Sequence, residues 1–315
     1  MDSDGMRLLN DRYRLEQRIA VGGVSEVWRG HDETLGRPVA VKMIVSGSPD
    51  DVVSEARSGA ALAHPNIAEV FDIGVWRTPS GQTLRYIVME YAEGETLAHH
   101  LRAGPLDWRI ATRVCAEVSA ALAAAHLTGL VHRDIKPANV VLTPYGAKVL
   151  DFGISIMAGS HDRLPDGTIL GTPAFMPPER FHGLPAAPAS DMYALGVLLY
   201  LCLTGNLPFA PRSLGDHRIA APETEPARLP PIKDLPHEVA DVYLACLDPD
   251  PDARPSSFAA AALLAEVVDA RVQLPPVSPP PAIDVPEEEV SPWTRAAAEA
   301  ATGVATSDVV GRHRA

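Results

Sequence analysis

His132-Arg133-Asp134-Ile135-Lys136-Pro137-Ala138-Asn139, followed 12 residues beyond Asn139 by Asp151-Phe152-Gly153, is the stretch on which the reading turns. An acid, a cation and an amide fall within six residues, and a second acid follows. Taken singly, the aspartates suit turns or helix caps and Asn139 suits a turn amide. The lysines narrow the choice. The chain has only four, Lys42, Lys136, Lys148 and Lys233, among 27 basic residues, so each one invites the question of what it does. Lys42 lies in Val39-Ala40-Val41-Lys42-Met43-Ile44, an alternating strand pattern from which a lysine can also simply snorkel to solvent. Upstream, Ile19-Ala20-Val21-Gly22-Gly23-Val24-Ser25-Glu26-Val27 places two glycines between strand-like runs. Glycine lets a hairpin backbone approach phosphate oxygens with no Cβ in the way, although any tight turn would use the same pair.

The composition sets the frame. With 315 residues, 46% hydrophobic and 21% charged, the chain is globular, and 27 Lys and Arg against 40 Asp and Glu give it a formal charge of −13. There is no block of basic residues, so its field repels polyanions and excludes a nonspecific grip on nucleic acid or an anionic membrane. Cys115, Cys202 and Cys246 stand far apart in apolar helical runs. They suit buried small hydrophobes in a reducing, cytoplasmic setting, and indicate neither a zinc site nor a disulfide framework. Met1 to Asp11 has no apolar signal region, and the longest apolar run, Ala194 to Leu203, is about ten residues, too short to span a membrane.

Short-period runs predict strands at Tyr13 to Ala20, Val24 to His31, Pro38 to Val45, Ile67 to Val75 and Leu84 to Met89, interrupted by a helix at Asp50 to Leu62. From Leu106 to Leu127 apolar residues recur at three-to-four spacing, which predicts a long amphipathic helix stopped by Gly129. Further helices are expected at Ser190 to Thr204, His237 to Cys246 and Ser256 to Val272. The fold class is therefore α+β: a small β-rich lobe at about 13–90 and a larger helical lobe at about 91–272, preceded by an extension at 1–12. From 273 to 315 a proline-rich, acidic linker and tail follow, expected to be extended or disordered.

Taken together in this order, Lys42, the His132 to Asn139 segment and Asp151-Phe152-Gly153 resemble the phosphate-binding lysine, catalytic loop and metal-binding loop of protein kinases, and the chain resembles bacterial serine/threonine kinases of the eukaryotic-like (Hanks) type. The resemblance implies a two-lobed kinase fold using ATP with Mg²⁺, or Mn²⁺ as the alternative. It implies protein substrates with Ser or Thr acceptors, and self-association for autophosphorylation. Asp134 would orient the acceptor hydroxyl, and Lys136 would lie near the transferred phosphate. Asn139 and Asp151 would supply hard oxygen ligands to the metal, and Lys42 would hold the α- and β-phosphates while paired to Glu55. Ile19 to Val27 would cover the phosphates. Glu90 and Ala92 would form the hinge that meets adenine, Met89 would be the gatekeeper, and Val27, Ala40 and Val141 would sandwich the ring. Arg133, Asp166, Thr168 and Thr172 would belong to activation-segment control, with Thr168 a phosphorylation site or Asp166 a built-in negative charge facing Arg133. Pro177-Pro178-Glu179 would end that segment, Glu179 pairing with Arg254, and Asp191 would accept hydrogen bonds from the catalytic-loop backbone.

Two positions depart from the pattern. Ala20 stands where the first loop glycine is expected, which implies weaker nucleotide affinity. Gly59 stands where an apolar side chain usually completes a stack with Val70, His132 and Phe152, which implies a void. These departures speak for a degenerate kinase acting as a nucleotide-binding scaffold or regulatory interaction module, against the intact Lys42, Glu55, Asp134, Lys136, Asn139 and Asp151. A small-molecule phosphotransferase of the same architecture would lack the full Gly171 to Glu179 segment that this chain has.

Overall fold

Strand Arg37–Ile44 shows how the N-terminal lobe is built. Its odd positions Val39, Val41 and Met43 join one apolar cluster with Leu9, Tyr13, Leu15, Trp28, Tyr86 and Val88. Its even position Ala40 joins a second cluster with Ala56, Ile87 and Met89 on the opposite face. The two-residue period of a strand therefore puts Lys42 on the Ala40 face, where it is buried at 7% exposure rather than snorkelled to solvent.

The computed structural model describes residues 8–22, 25–45, 53, 56–57, 59–78, 81–151, 156–157, 172–185, 187–209 and 225–276. In the N-terminal lobe, β1 (Leu8–Leu9), β2 (Tyr13–Val21), β3 (Ser25–Asp32), β4 (Arg37–Ile44), β5 (Val70–Arg77) and β6 (Thr83–Glu90) form one sheet in the order β1-β2-β3-β4-β6-β5. Every pairing in it is antiparallel. Of the helix expected at Asp50 to Leu62, Val53, Ala56, Arg57, Gly59 and Ala60 are helical, and Glu55 lies outside the described residues.

Gly59 corrects an expectation. A Cβ built there would come within 2.7 Å of Val70 Cγ2, so among the described residues Val70 occupies the space beside Gly59 where a void was expected. Glycine is what allows the helix to approach β5 this closely.

The C-terminal lobe is organised by helices α2 (Trp108–Leu127), α4 (Pro188–Thr204), α5 (His237–Cys246) and α6 (Ser257–Val267), with the short α1 (Leu97–His100) and α3 (Pro178–Phe181) at its edges. Asp107 caps α2 by accepting from Arg109 N–H at 2.9 Å. Gly205, with φ 73°, closes α4 in the left-handed conformation. By length and composition α2 could cross a bilayer, but 72% of it is buried in this lobe, so it is the core helix. The three cysteines are buried here too, and burial pushes the Cys246 thiol up to about 12, in keeping with packing rather than reactivity.

Five short strands escaped the sequence pattern or were only glimpsed in it: β7 (Glu95–Thr96), β8 (Leu130–Val131), β9 (Val140–Thr143), β10 (Gly146–Val149) and β11 (Ile156–Met157). They pair as β10-β9-β7 and β11-β8 and frame the decisive segment on both sides. The helix expected to run to Val272 ends at Val267, and Asp269 turns into the left-handed region with φ 48°. The chain then runs to the other lobe, where His64 Nε2 donates to the Gln273 carbonyl at 2.7 Å, one residue past the expected domain end.

Candidate active site

β8 delivers the chain into residues 132–136, and α4 holds them. Asp191, inside the first turn of α4, accepts from His132 N–H and Arg133 N–H, both at 2.8 Å. The N-terminal cap position of α4 is Ala187, so Asp191 serves the loop and does not cap its own helix. Full burial alone would raise its pKa, but the His126 hydrogen bond, neighbouring positive charge and the Arg133 N–H outweigh it and hold the carboxyl below its ordinary value. Between these contacts Arg133 adopts φ 73°, a left-handed conformation that a non-glycine residue keeps only when its surroundings enforce it.

The reversal at Arg133 presents Asp134. Its Oδ1 accepts from Thr172 Oγ1 at 2.9 Å, and its Oδ2 meets Lys136 Nζ at 2.5 Å and Asn139 Nδ2 at 3.1 Å. Lys136 Nζ also donates to Thr172 Oγ1 at 3.0 Å. A hydroxyl therefore already sits between the carboxylate and the ammonium, in the relation a substrate hydroxyl would need. Asn139 follows from the turn Pro137–Asn139 and spends its amide nitrogen on the Asp134 carbonyl at 2.8 Å as well, which turns its amide oxygen to the far side.

On the strand side, Asp151, with φ 55°, receives Lys42 Nζ on Oδ1 at 3.2 Å. The two residues are 109 apart in sequence and join the lobes across the cleft. Among the described residues no group of three or more His, Cys, Asp or Glu could hold a metal ion. A divalent cation would take Asn139 and Asp151 oxygens from the chain and complete its shell with nucleotide and water, and the hard oxygen donors suit it.

Above the cleft, Gly22 N–H donates to the Ser25 carbonyl at 2.8 Å and closes the turn between β2 and β3; Gly23 and Val24 lie outside the described residues. Ala20 pairs with Val27 within extended strand, so its methyl brings no backbone strain. Ile19 and Val21 are exposed. Glu26 is engaged by Arg18 at 3.3 Å and by the Trp28 indole N–H at 3.2 Å. Ala40 and Met89 are buried together with Val27 packed on them, and Val141 is buried on β9. Glu90, at the end of β6, accepts from Lys148 Nζ at 2.9 Å, and Ala92 is half-buried just beyond.

Thr172 opens the described part of the segment that ends in α3; Asp166 and Thr168 lie outside the described residues, as does Phe152. Glu179 is held by Arg254 through two bonds of 2.7 and 2.8 Å, with both side chains buried. Two contributors were not legible in the sequence. Lys148 stands out in the sequence only as one of four lysines, although the alternating run before Asp151 points its side chain toward an inward partner. Arg180, at 3% exposure, donates from Nη1 to the Arg133 carbonyl at 2.8 Å, and its local sequence carries no sign of this. Burial, then the neighbouring Arg180 charge, push the Arg133 guanidinium down to about 10 against the pull of Asp191.

A sheet-built lobe and a helical lobe meet over an acid, a lysine and two oxygen donors, and this arrangement defines a two-lobed phosphotransferase. Residues 13–267 match the family described as "Protein kinase domain", and the chain belongs to that family. Serine/threonine-protein kinase PknA of Mycobacterium tuberculosis is 38% identical over 314 residues, covering 95% of this chain and 72% of the relative. Serine/threonine-protein kinase PknB of Mycolicibacterium smegmatis is 37% identical over 261 residues, covering 78% of this chain and 41% of the relative. The chain is thus a protein kinase of the bacterial Hanks type, working with ATP and a divalent metal.

Proposed function

We propose that the kinase domain, residues 13–272 as expected from the sequence and extended to at least Gln273 by its contact with His64, transfers the γ-phosphate of ATP to Ser or Thr of proteins, its own chain included. The observation that carries this reading is the hydroxyl of Thr172 between Asp134 and Lys136, at 2.9 and 3.0 Å. Asp134 orients the attacking hydroxyl and takes its proton as the bond to the γ-phosphorus forms and the bond from that phosphorus to the departing ADP oxygen breaks. Lys136 offsets negative charge on the transferred group, and Lys42 steadies the α- and β-phosphates. Asn139 and Asp151 would hold a divalent cation, which would supply charge neutralisation to the nucleotide phosphates, with Mg²⁺ the better match to oxygen donors and Mn²⁺ the alternative.

Glu55 is assigned as the partner of Lys42. Ile19 to Val27 are assigned to the phosphate cover, and Val27, Ala40, Met89, Glu90, Ala92 and Val141 to the adenine slot. Arg133 with Asp166 or Thr168 is assigned to activation, and self-association to autophosphorylation. The close contact of Val70 with Gly59 and the absence of a positive φ at Ala20 speak for a working kinase over a degenerate scaffold. The test is transfer from labelled ATP with Mg²⁺ to the chain itself and to a generic protein acceptor, comparing wild type with Lys42→Met and Asp151→Asn. Label on serine and threonine in the wild type alone is expected. Equal label on all three, or none on any, overturns the reading.

A further inference from the structure

We propose that Arg180 is a positioning residue for the catalytic aspartate, acting through the carbonyl of Arg133; the inference rests on the role given above to Asp134. The peptide unit between Arg133 and Asp134 is held at both ends. Its carbonyl accepts from Arg180 Nη1 at 2.8 Å, and its N–H donates to His132 Nδ1 at 3.2 Å. The preceding N–H is held by Asp191 Oδ1 at 2.8 Å. These contacts surround the one residue of the loop that is forced into φ 73°. Of the three, the Arg180 and Asp191 bonds each have a charged partner, one on the carbonyl and one on the N–H side of Arg133, and charge-assisted bonds of this kind are roughly twice as strong as neutral ones.

Arg180 is itself fixed. The preceding residue, Glu179, is locked to Arg254 by its two bonds and accepts from Ser190 Oγ at 3.2 Å, so the four-residue α3 cannot drift. Thr172, eight residues earlier on the same stretch, bonds the Asp134 carboxylate directly. Residues 172–180 therefore grip Asp134 twice, at its side chain through Thr172 and at its backbone through Arg180. Without Arg180 the buried carbonyl loses its charged donor, and the left-handed peptide is held only by the His132 and Asp191 contacts, which weakens the geometry that aims the carboxylate.

The test uses the full chain and two readouts on Arg180→Met and Arg180→Lys: steady-state transfer with ATP affinity, and amide hydrogen exchange at residues 132–135 against residues 192–203 of α4. For Arg180→Met the expected result is a kcat lower by about 10- to 100-fold, with ATP affinity within about 2-fold, as loss of one charged hydrogen bond to the peptide that aims Asp134 predicts. Exchange at 132–135 should rise by about 10-fold or more while α4 stays as protected as in wild type. Arg180→Lys, which keeps a cationic donor, should retain more of both.

Unchanged kcat and unchanged loop protection in Arg180→Met overturn the proposal. So does a loss of protection that is equal in the loop and in α4, since that marks a purely structural role. If Arg180→Met fails to fold, Arg180→Gln, which removes the charge and keeps a polar side chain, decides by the same comparison: a loss of kcat and of loop protection with α4 intact supports the proposal, and parity with wild type in both overturns it. Wild type that transfers no phosphate refutes the activity reading instead, and the exchange comparison still decides whether Arg180 holds the loop.

Discussion

Replacing Thr172 by valine keeps the shape of the side chain and removes its hydroxyl. The structure assigns that hydroxyl two bonds to charged groups, donation to Asp134 Oδ1 at 2.9 Å and acceptance from Lys136 Nζ at 3.0 Å. The loss does not leave the charges unpaired, because Lys136 still meets Asp134 Oδ2 at 2.5 Å and Asn139 still donates to it at 3.1 Å. One charged hydrogen bond rather than two is therefore the right scale, about 1.5–3 kcal/mol, or roughly 10- to 150-fold in kcat. Thr172→Ser retains the oxygen and is expected to stay within about 3-fold of wild type on the same argument. The assay is steady-state transfer at saturating ATP, with ATP affinity taken separately from the ligand-induced rise in melting temperature. If valine and serine fall equally, or valine keeps wild-type kcat, the hydroxyl does not orient Asp134. If ATP affinity drops along with kcat, the effect arises in nucleotide binding and the reasoning fails in a different place.

Gly59→Ala sets a helix-propensity gain of about 1 kcal/mol against overpacking of about 1–3 kcal/mol. With Val70 Cγ2 only 2.7 Å from the new methyl, a lower melting temperature is expected, recovered in part when Val70→Ala is added; a gain in stability from Gly59→Ala alone would mean open space there. Lys148→Met breaks the ion pair to Glu90, whose side chains are 17% and 29% exposed. Placed between the exposed and fully buried cases at about 1–2 kcal/mol, it should raise the KM for ATP by roughly 5- to 30-fold with little change in kcat, and the charge-swapped pair Lys148→Glu with Glu90→Lys should recover part of the loss.

Burial holds the His64 pKa below its ordinary 6.5, against the Gln273 carbonyl and helped by Lys148. The unfolded chain then takes up a proton before the folded one does, so this contribution to stability is complete above pH 6.5 and is lost as pH falls through 6.5 toward the folded value. Melting measured from pH 7.5 down to 5.5 should fall less steeply in His64→Gln than in wild type.

The parts of the fold that repeat were legible in the sequence. The alternation of Val39, Val41 and Met43 against Ala40 and Lys42 reports which face of β4 each residue takes, because a strand has a fixed period. Helix α5, His237–Cys246, and the body of α2 were readable for the same reason at a period of 3.6. What escaped was local and short. β8, with two residues, and β10, with four, have no room for a period; β8 exists because its partner β11 lies well along the chain, whereas β10 is one arm of a tight hairpin with β9. The site was visible where a residue's chemistry is unusual in its setting, as with Lys42 in an apolar strand. It was invisible where a common residue is made important by a distant neighbour, as with Arg180 and the Arg133 carbonyl. At Gly59 the sequence misleads, since a missing side chain looks like empty space until the neighbour that closes on it, Val70, is known.

The segment from Asn66 to Ala68 belongs to the first lobe by sequence and is hydrogen-bonded to the second. Asn66 receives Val149 N–H at 2.8 Å, Ala68 donates to the Val149 carbonyl at 3.0 Å, and the Asn66 amide donates to the Ala147 carbonyl 81 residues downstream. On the ribosome these groups emerge long before their partners. At about 5–20 residues per second, roughly 4–16 s pass between synthesis of Asn66 and of Ala147, before the exit tunnel is counted. The nascent first lobe must wait through that interval with a seam of backbone donors and acceptors open to water or to a chaperone. An expressed fragment ending at the hinge is expected to inherit the same open seam permanently, so the sequence boundary between the lobes is a poor place to cut.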